Sequence, residues 1–586
     1  MGREVKYLDY ISKSRKIEKE DKKQFSKLGI AILRSFTLEI IEPILKVELF
    51  KEKIDCDLFF GEYNNYYQEI FDYESRFYKF NPDICVISIR LEELYKGLII
   101  NFLEEKDNLL EIEDYIISQY RNMIDKIRDK LKCNIFIHNF MIPYNNYTSL
   151  YDFQHTDGQA NFIRKLNIKL VEIANEYTGV YIIDIEKVAG FLGKININDN
   201  KMWYIAKNPY KYEFYITLTK EYLKYIKAIY GIRKKCIILD LDNTLWGGII
   251  GEDGIAEIKL GESYPGNCYK DFQSQLLKLK KRGVILAICS KNNVDDIEEV
   301  LKQHPDMVLK KDDFACIKAN WKDKYINIKA ISEELNIGLD SIVFIDDNPI
   351  ECELIKQRLP EVEVINLPGN PLEYVDLISN LSYFETIKLT SEDLRKTEIY
   401  KLQIDRKKLK NTVNSLEEYY RSLEMEIEIK IIDDFALPRV AQLTQKTNQF
   451  NLTTKRYTEE DIKKIMQDKN NKIYYARVMD RFGDNGITGC CILKKISDNK
   501  VQIDTFLLSC RVIGRSIENA FMYFIYKKLK EDNIKQLIGE YIPTKKNVLV
   551  KDFYKNFKFN QIKSNKYIFD IEVEEIECPN YIKIIY

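Results

Sequence analysis

The run Lys234-Lys-Cys-Ile-Ile-Leu-Asp-Leu-Asp-Asn-Thr-Leu-Trp246 constrains the fold of this chain more than any other stretch. It reads as a short buried strand ending in two carboxylates, Asp240 and Asp242, with Thr244 just beyond. A second apolar run, Ser341-Ile-Val-Phe-Ile-Asp-Asp-Asn-Pro349, ends in another pair, Asp346 and Asp347. Strands that are apolar throughout, alternating with helices, imply a parallel sheet covered on both faces. Four carboxylates at the ends of two such strands suit a hard cation and phosphoryl chemistry.

With 586 residues the chain is too long for one core, and its length suggests about three or four domains. Residues 1–25 read as an N-terminal extension. The block 26–231 opens with strand-like Leu28–Leu33 followed by Ser35, and further strand-like runs fall at Asp83–Ile89 and Cys133–His138. A helix is expected over Glu113–Leu131. The block 232–385 repeats this rhythm, with strands expected at Cys236–Leu239, Val284–Cys289 and Ile342–Ile345. Helices are expected around Tyr269–Lys281 and Lys324–Leu335. Residues 386–422 are charged and helix-prone and read as a connector. The block 423–586 begins with strand-like Glu424–Lys430, and its Gly483-Asp-Asn-Gly486 predicts a hairpin turn there. A strand over Val501–Leu508, a Gly-bearing loop and a helix from about Ser516 to Lys530 follow.

Ninety basic residues against ninety-one acidic ones leave a net charge of −1, which is not the basic footprint of a nucleic-acid binder. Twelve scattered cysteines form no CxxC and no Cys/His set at zinc spacing. No run approaches the roughly 18 apolar residues that span a membrane. The N-terminus lacks an apolar signal core and a myristoylation pattern. A cytoplasmic protein with reduced thiols and no membrane contact is the expectation.

A phosphoryl-transfer site needs a nucleophile, a proton carrier, a metal and groups that hold the phosphate. Asp240 follows its strand directly and is placed to attack phosphorus. Asp242, two residues on, is placed to protonate the leaving oxygen and then activate water. Asp346 and Asp347, with Asp240 and the backbone carbonyl of Asp242, can hold one Mg²⁺. Ser290 can donate a hydrogen bond to a phosphate oxygen, and Lys324 can add positive charge there. Fifty residues separate Asp240 from Ser290 and fifty-six separate Ser290 from Asp346, intervals too short for a large cap. Gly247–Gly266 reads as a modest flap, so a bulky or protein-borne substrate can be admitted.

This pattern resembles the haloacid dehalogenase-like (HAD) phosphotransferases. Asp240-Leu-Asp242-Asn-Thr244 matches the first motif, Ser290 the second, Lys324 the third and Asp346-Asp347 the fourth. The resemblance implies phosphate binding by Thr244, Ser290 and Lys324. Trp246-Gly-Gly248, Ile288-Cys-Ser-Lys-Asn-Asn293, His304-Pro-Asp-Met307, Asn320-Trp-Lys-Asp-Lys324 and Phe344–Pro349 together are similar to the FkbH-like branch of HAD subclass IIIC. Its members load a glyceryl unit from 1,3-bisphosphoglycerate onto an acyl carrier protein and remove the phosphate, feeding polyketide-type assembly. The resemblance thus implies Mg²⁺, a phosphorylated three-carbon acid and a carrier protein with a phosphopantetheine arm. Cys289, within the family's Cys-Ser-Lys-Asn motif, is a candidate acyl carrier, set against the alternative of a small buried hydrophobe.

The flanking blocks carry fainter resemblances. Arg511-x-x-Gly514-Arg515-Ser516 is similar to the pyrophosphate loop of GNAT-type acyltransferases, and Asn547 with Phe553–Phe559 resembles a later motif of that fold. That implies pantetheine binding by Arg511, Gly514, Arg515 and Asn547, with Cys510 a second acyl-carrying candidate. Ser35 sits where SGNH-type hydrolases carry their nucleophile, but Leu33-Arg-Ser35 replaces Gly-Asp-Ser and no Asp-x-x-His lies near residue 200. Asn139 echoes that family's Asn block, and His155 has no obvious partner. A degenerate SGNH-like scaffold is expected. The fold expectation is therefore α/β: two consecutive doubly wound parallel-sheet domains, SGNH-like then HAD Rossmann-like, followed by a GNAT-like α+β domain. Two other activities remain open: a phosphatase of a small phosphorylated metabolite, and a GNAT-type acyltransferase using acyl-coenzyme A.

Overall fold

The computed structural model describes residues 7–144, 149–387, 391–413, 415–544 and 546–585, so the extreme N-terminal residues 1–6 and residues 388–390 and 414 of the connector lie outside the described residues. The chain divides into two compact units, residues 1–226 and 227–586.

The first unit is built on five strands: β1 (Ser26–Arg34), β2 (Ile54–Phe60), β3 (Ile84–Ser88), β4 (Asn134–His138) and β5 (Val180–Ile183). They form one sheet in the order β2-β1-β3-β4-β5, with every neighbouring pair parallel. β3 is buried at all five positions, as a central strand with helices on both faces requires. The long helix Leu109–Arg128 buries Ile112, Ile116, Tyr120, Met123, Ile124 and Ile127 against that sheet, a 3.6-residue stripe.

The second unit begins with another parallel sheet of β6 (Cys236–Leu239), β7 (Ile285–Ser290), β8 (Phe314–Ala319), β9 (Ile342–Asp346) and β10 (Glu363–Asn366), in the order β10-β9-β6-β7-β8. Alternate residues feed two apolar clusters, one holding Ile237, Leu239, Ile288 and Ile345 and the other Cys236, Ile238, Ala287, Cys289 and Phe344. The chain moves outward from β6 in one direction through β7 and β8, then returns to the other side of β6 for β9 and β10. This reversal lies between β6 and β9, and ligands of open parallel sheets bind at such a point, beyond the carboxyl ends of the strands.

A mixed sheet completes the unit. Its strands are β11 (Met425–Ile431), β12 (Asn471–Asp480), β13 (Gly483–Ser497), β14 (Lys500–Leu508), β15 (Gln536–Glu540), β16 (Asn560–Lys563), β17 (Lys566–Asp570) and β18 (Ile582–Ile585). They are ordered β16-β17-β15-β14-β13-β12-β11-β18, antiparallel except for the pairs β14–β15 and β11–β18. Helices Leu437–Lys446 and Glu459–Gln467 cover one face, and Ile517–Glu531 covers the other.

The connector is helical over Lys396–Thr412 and Leu416–Ser422. Tyr400 enters the apolar cluster of the parallel sheet. Arg406 clasps the buried Asp480 at the end of β12 with Nε and Nη2 at 2.7 and 2.8 Å. One helix therefore rivets both sheets. The expected turn at Gly483–Gly486 is displaced: Asp480 pairs with Gly483, so the chain reverses over Arg481-Phe482 and Asn485-Gly486 lie inside β13. Asn485 is fully buried and its Nδ2 donates to the Val478 carbonyl, which binds the irregular register together and uses the Asn-Gly pair for a bulge rather than a turn. Among the described residues no helix is long and apolar enough to cross a membrane.

Candidate active site at the ends of the parallel strands

β6 and β9 are in register from Cys236↔Ile342 to Leu239↔Ile345, so the residues that follow them, Asp240 and Asp346, emerge side by side. The Asp240 N–H donates to the Ile345 carbonyl at 3.0 Å and fixes that level. From the neighbouring strand, Ser290 Oγ donates to Asp240 Oδ1 at 2.7 Å. Lys324 is the first residue of the helix Lys324–Leu335, and its Nζ lies 3.0 Å from Asp240 Oδ1 and 2.6 Å from Asp346 Oδ2. Four sequence-predicted residues from four separate stretches thus meet at one place.

The second carboxylate of the first motif is held differently. Asp242 Oδ1 accepts from the Trp246 indole N–H (3.0 Å) and the Ile250 backbone N–H (3.1 Å), while Oδ2 accepts from Asn292 Nδ2 at 2.8 Å. Asn292 Nδ2 also lies 3.1 Å from Ser290 Oγ. A continuous hydrogen-bonded chain runs from Asp242 through Asn292 and Ser290 to Asp240. The intervening Asn243 has φ 52°, the left-handed region that Asn tolerates, and its carbonyl accepts from Tyr374 Oη at 2.9 Å. That kink sets the angle at which Asp242 returns towards the site. Sequence reasoning gave no role to Asn292 or Trp246, though both lie within quoted motifs. The Asn292 bond to Asp242 crosses the fold, whereas Trp246 bonds Asp242 from four residues on, a local contact that the sequence could have suggested.

Ligand oxygens of Asp240, Asp346 and Asp347 lie within 4.8 Å of one another. Three convergent carboxylates offer the hard oxygen donors that suit Mg²⁺, so the residues fit that cation. Burial pushes the Asp347 carboxyl up to about 6, with the nearby Asp240 charge adding to it. Burial likewise raises Asp240, while Lys324 pulls against it. Such carboxylates gain from a cation between them. Burial disfavours the charge on Lys324, yet Asp240 and Asp346 outweigh it and hold the ammonium above its ordinary range. The side chain of Asp242 is not part of this cluster, since both its oxygens are taken by N–H donors. Thr244 is fully buried, and its hydroxyl finds no partner among the described residues, leaving an unmet polar group behind the site.

The flap is small. Gly247 and Lys259 pair through two backbone hydrogen bonds of 3.1 and 2.7 Å, closing a loop that contains one short helix, Ile250–Asp253.

The other candidates are each set in surroundings of their own. Cys289 is fully buried among Ala287, Ile328 and Phe344, its Sγ faces the Lys324 carbonyl at 3.7 Å, and burial pushes its thiol well up. This is the environment of a core residue, not of an acyl carrier. Cys510 lies in the loop after β14, where its carbonyl accepts from Asn336 Nδ2 at 2.8 Å. Arg511 donates to the Asn485 carbonyl at 2.8 Å, and Arg515 Nη1 bonds Asp480 at 2.7 Å. Gly514 is exposed with φ 75°. Asn547 is fully buried in bonds to the chain itself. In the first unit Ser35 is buried and its Oγ accepts from the Arg90 N–H at 2.9 Å. Asn139 bonds Asp184, and His155 stacks on Tyr151 with ring centroids 4.0 Å apart.

Residues 29–226 match the family described as FkbH, N-terminal domain. The crystal structure of the N-terminal part of protein BF1531 from Bacteroides fragilis, containing a phosphatase domain and complexed with Mg, is 29% identical. The match spans 65% of this chain and 99% of that one with a TM-score of 0.58. The ribosomal-protein-S18-alanine N-acetyltransferase from Escherichia coli matches over 27% of this chain and 99% of its own, at 11% identity and a TM-score of 0.20. An N-acetyltransferase from Staphylococcus aureus matches over 25% of this chain and 98% of its own, at 16% identity and a TM-score of 0.20. No curated protein matches the chain.

Proposed function

We propose that this chain is a Mg²⁺-dependent phosphatase-type enzyme whose reaction runs through Asp240. The observation that carries this reading is the meeting of Asp240, Ser290, Lys324 and Asp346 within hydrogen-bonding distance at the strand ends, beside Asp347. The likeness to the phosphatase-domain structure from Bacteroides fragilis, crystallised with Mg, supports it.

Asp240 attacks phosphorus and the bond to the leaving oxygen breaks. Lys324 and Ser290 hold phosphate oxygens, and both already reach Asp240. Asp242, oriented by Asn292 and Trp246, handles the proton of the leaving oxygen and then that of the hydrolytic water. Asp240, Asp346 and Asp347 would hold the Mg²⁺, which offsets negative charge on the phosphoryl group.

Within this class we assign the substrate as a phosphorylated three-carbon acid, the glyceryl donor 1,3-bisphosphoglycerate. The phosphopantetheine thiol of an acyl carrier protein takes the acyl unit as the C1 phosphate leaves, and the C3 phosphate ester is removed through Asp240 with water as the final acceptor. The FkbH N-terminal match and the small flap, which leaves room for a protein-borne substrate, support this reading. It is tested by intact-protein mass spectrometry of phosphopantetheinylated carrier protein incubated with the enzyme, Mg²⁺ and fresh 1,3-bisphosphoglycerate. A glyceryl mass gain that needs the enzyme supports the transfer. Phosphate release with no adduct on any carrier assigns the chain to small-metabolite phosphatases instead.

A further inference from the structure

The mixed sheet opens along one edge of β14. β14 and β15 pair in parallel through Lys500↔Gln536, Val501↔Leu537 and Gln502↔Ile538 and then part. Beyond the parting, the backbone groups of Phe506 and Leu508 need new partners, because buried N–H and C=O groups are seldom left unmet. An edge of this kind accepts an extended, amide-bearing arm through main-chain hydrogen bonds.

Here the chain supplies the arm itself. The Leu452 N–H donates to the Phe506 carbonyl at 3.1 Å, and the Leu508 N–H donates to the Phe450 carbonyl at 3.0 Å. Asn451 lies antiparallel opposite Leu507 between them. On the far side, the Ile542 N–H, just past β15, donates to the Leu452 carbonyl at 2.8 Å, and Asn547 Nδ2 donates to the Asn451 carbonyl at 3.0 Å. Phe450-Asn451-Leu452 is therefore bonded on both sides, as a strand inserted into the gap.

The residues that follow lock it in place. Thr453 Oγ1 donates to the Asp504 carbonyl at 2.9 Å, and the Asp504 carboxylate accepts from Tyr457 Oη (2.5 Å) and Lys455 Nζ (2.9 Å). Asn451 Oδ1 accepts from the Thr454 N–H at 2.9 Å and shapes the exit turn. Asn451, Leu452 and Asn547 are all fully buried. The two arginines of the adjoining loop are also spent internally, Arg511 on Asn485 and Arg515 on Asp480.

We propose that Phe450–Leu452 is a built-in strand filling the slot where the amides of an acyl-thioester arm would pair, and that the mixed-sheet domain is closed to coenzyme A-type ligands. The domain then serves the parallel sheet as a partner in packing, through the Arg406–Asp480 clasp and the Asn336–Cys510 contact. This inference stands apart from the phosphoryl chemistry.

Hydrogen exchange read by mass spectrometry on the full chain tests it, with acetyl-coenzyme A and free coenzyme A as probes. The expected result is slow exchange in peptides covering 450–452, 506–508 and 542, unchanged by saturating probe, and no binding heat from either probe. Altered protection in those peptides with probe, or fast exchange without it, would overturn the proposal. Asn547→Ala is expected to speed exchange at 450–452 by about tenfold by removing one anchor, and no change there would count against the strand being held as described. Should that variant fail to fold, the wild-type measurement decides alone.

Discussion

Lys324 Nζ lies 3.0 Å from Asp240 Oδ1, a buried ion pair in which the cation also reaches Asp346 at 2.6 Å. A single ammonium thus sits against two of the three carboxylates that converge there, and it neutralises charge that burial would otherwise make costly. Lys324→Met is expected to lower phosphate release by about 100-fold or more, since it removes an electrostatic group aimed at the phosphoryl oxygens. The same variant should gain more thermal stability from added Mg²⁺ than the wild type does, because two carboxylates are left without their cation. Equal Mg²⁺ shifts in the two proteins would contradict this placement of charge.

Asn292 touches both Asp242 and Ser290 through one amide nitrogen. Asn292→Ala should lower the rate of the chemical step by about 10- to 100-fold, part of what a well-placed acid–base group supplies. Substrate affinity should change little, because the amide bonds catalytic side chains. Steady-state kinetics separate the two effects, and a rise in KM at constant kcat would mean that Asn292 binds substrate.

Cys289 behaves in the structure as a small apolar residue. Cys289→Ala should keep phosphate release within about twofold and cost about 1 kcal/mol of stability, the order expected for one small buried group. Loss of acyl transfer in a variant that is stably folded would restore the covalent role to this thiol.

His138, at the end of β4, is fully buried between Ser88 Oγ at 2.9 Å and Tyr222 Oη at 2.6 Å. Burial holds its pKa down to about 3, against 6.5 for the ordinary side chain. Between those values the unfolded chain binds more protons than the folded one. The stability tied to the neutral ring is therefore complete above the ordinary value and is lost as pH falls towards the folded one. The contribution to the slope is at most about 1.4 kcal/mol per pH unit. His138→Gln should flatten the fall in stability of the first unit below pH 6.5, read as urea midpoints across a pH series. Parallel curves for the two proteins would show that the ring is already charged in the fold.

The parts of the fold legible in the sequence are those set by burial. Cys236–Leu239 and Lys324–Leu335 have the bounds that the apolar run and the helix pattern predict. β10 escapes the same reading because it is an edge of its sheet, a part-exposed strand that carries polar residues, Glu363-Val-Ile-Asn366. The carboxylates and Lys324 are legible because each sits at a strand or helix end. The roles of Asn292 and Phe450–Leu452 depend on partners far along the chain, which no local pattern encodes. The turn at Arg481-Phe482 was hidden by a stronger turn signal, Asn485-Gly486, which the structure places in a bulge.

The most direct test of the account is to trap the phosphoryl group on the enzyme. The protein would be mixed with a phosphate donor, quenched in acid and mapped by peptide mass spectrometry, with Mg²⁺, with EDTA, and as Asp240→Asn. The account predicts a phosphoryl mass on the peptide carrying Asp240 with Mg²⁺, and none with EDTA or in the variant. Undiminished phosphate release by a folded Asp240→Asn protein, or a phosphoryl group on another residue, would contradict it.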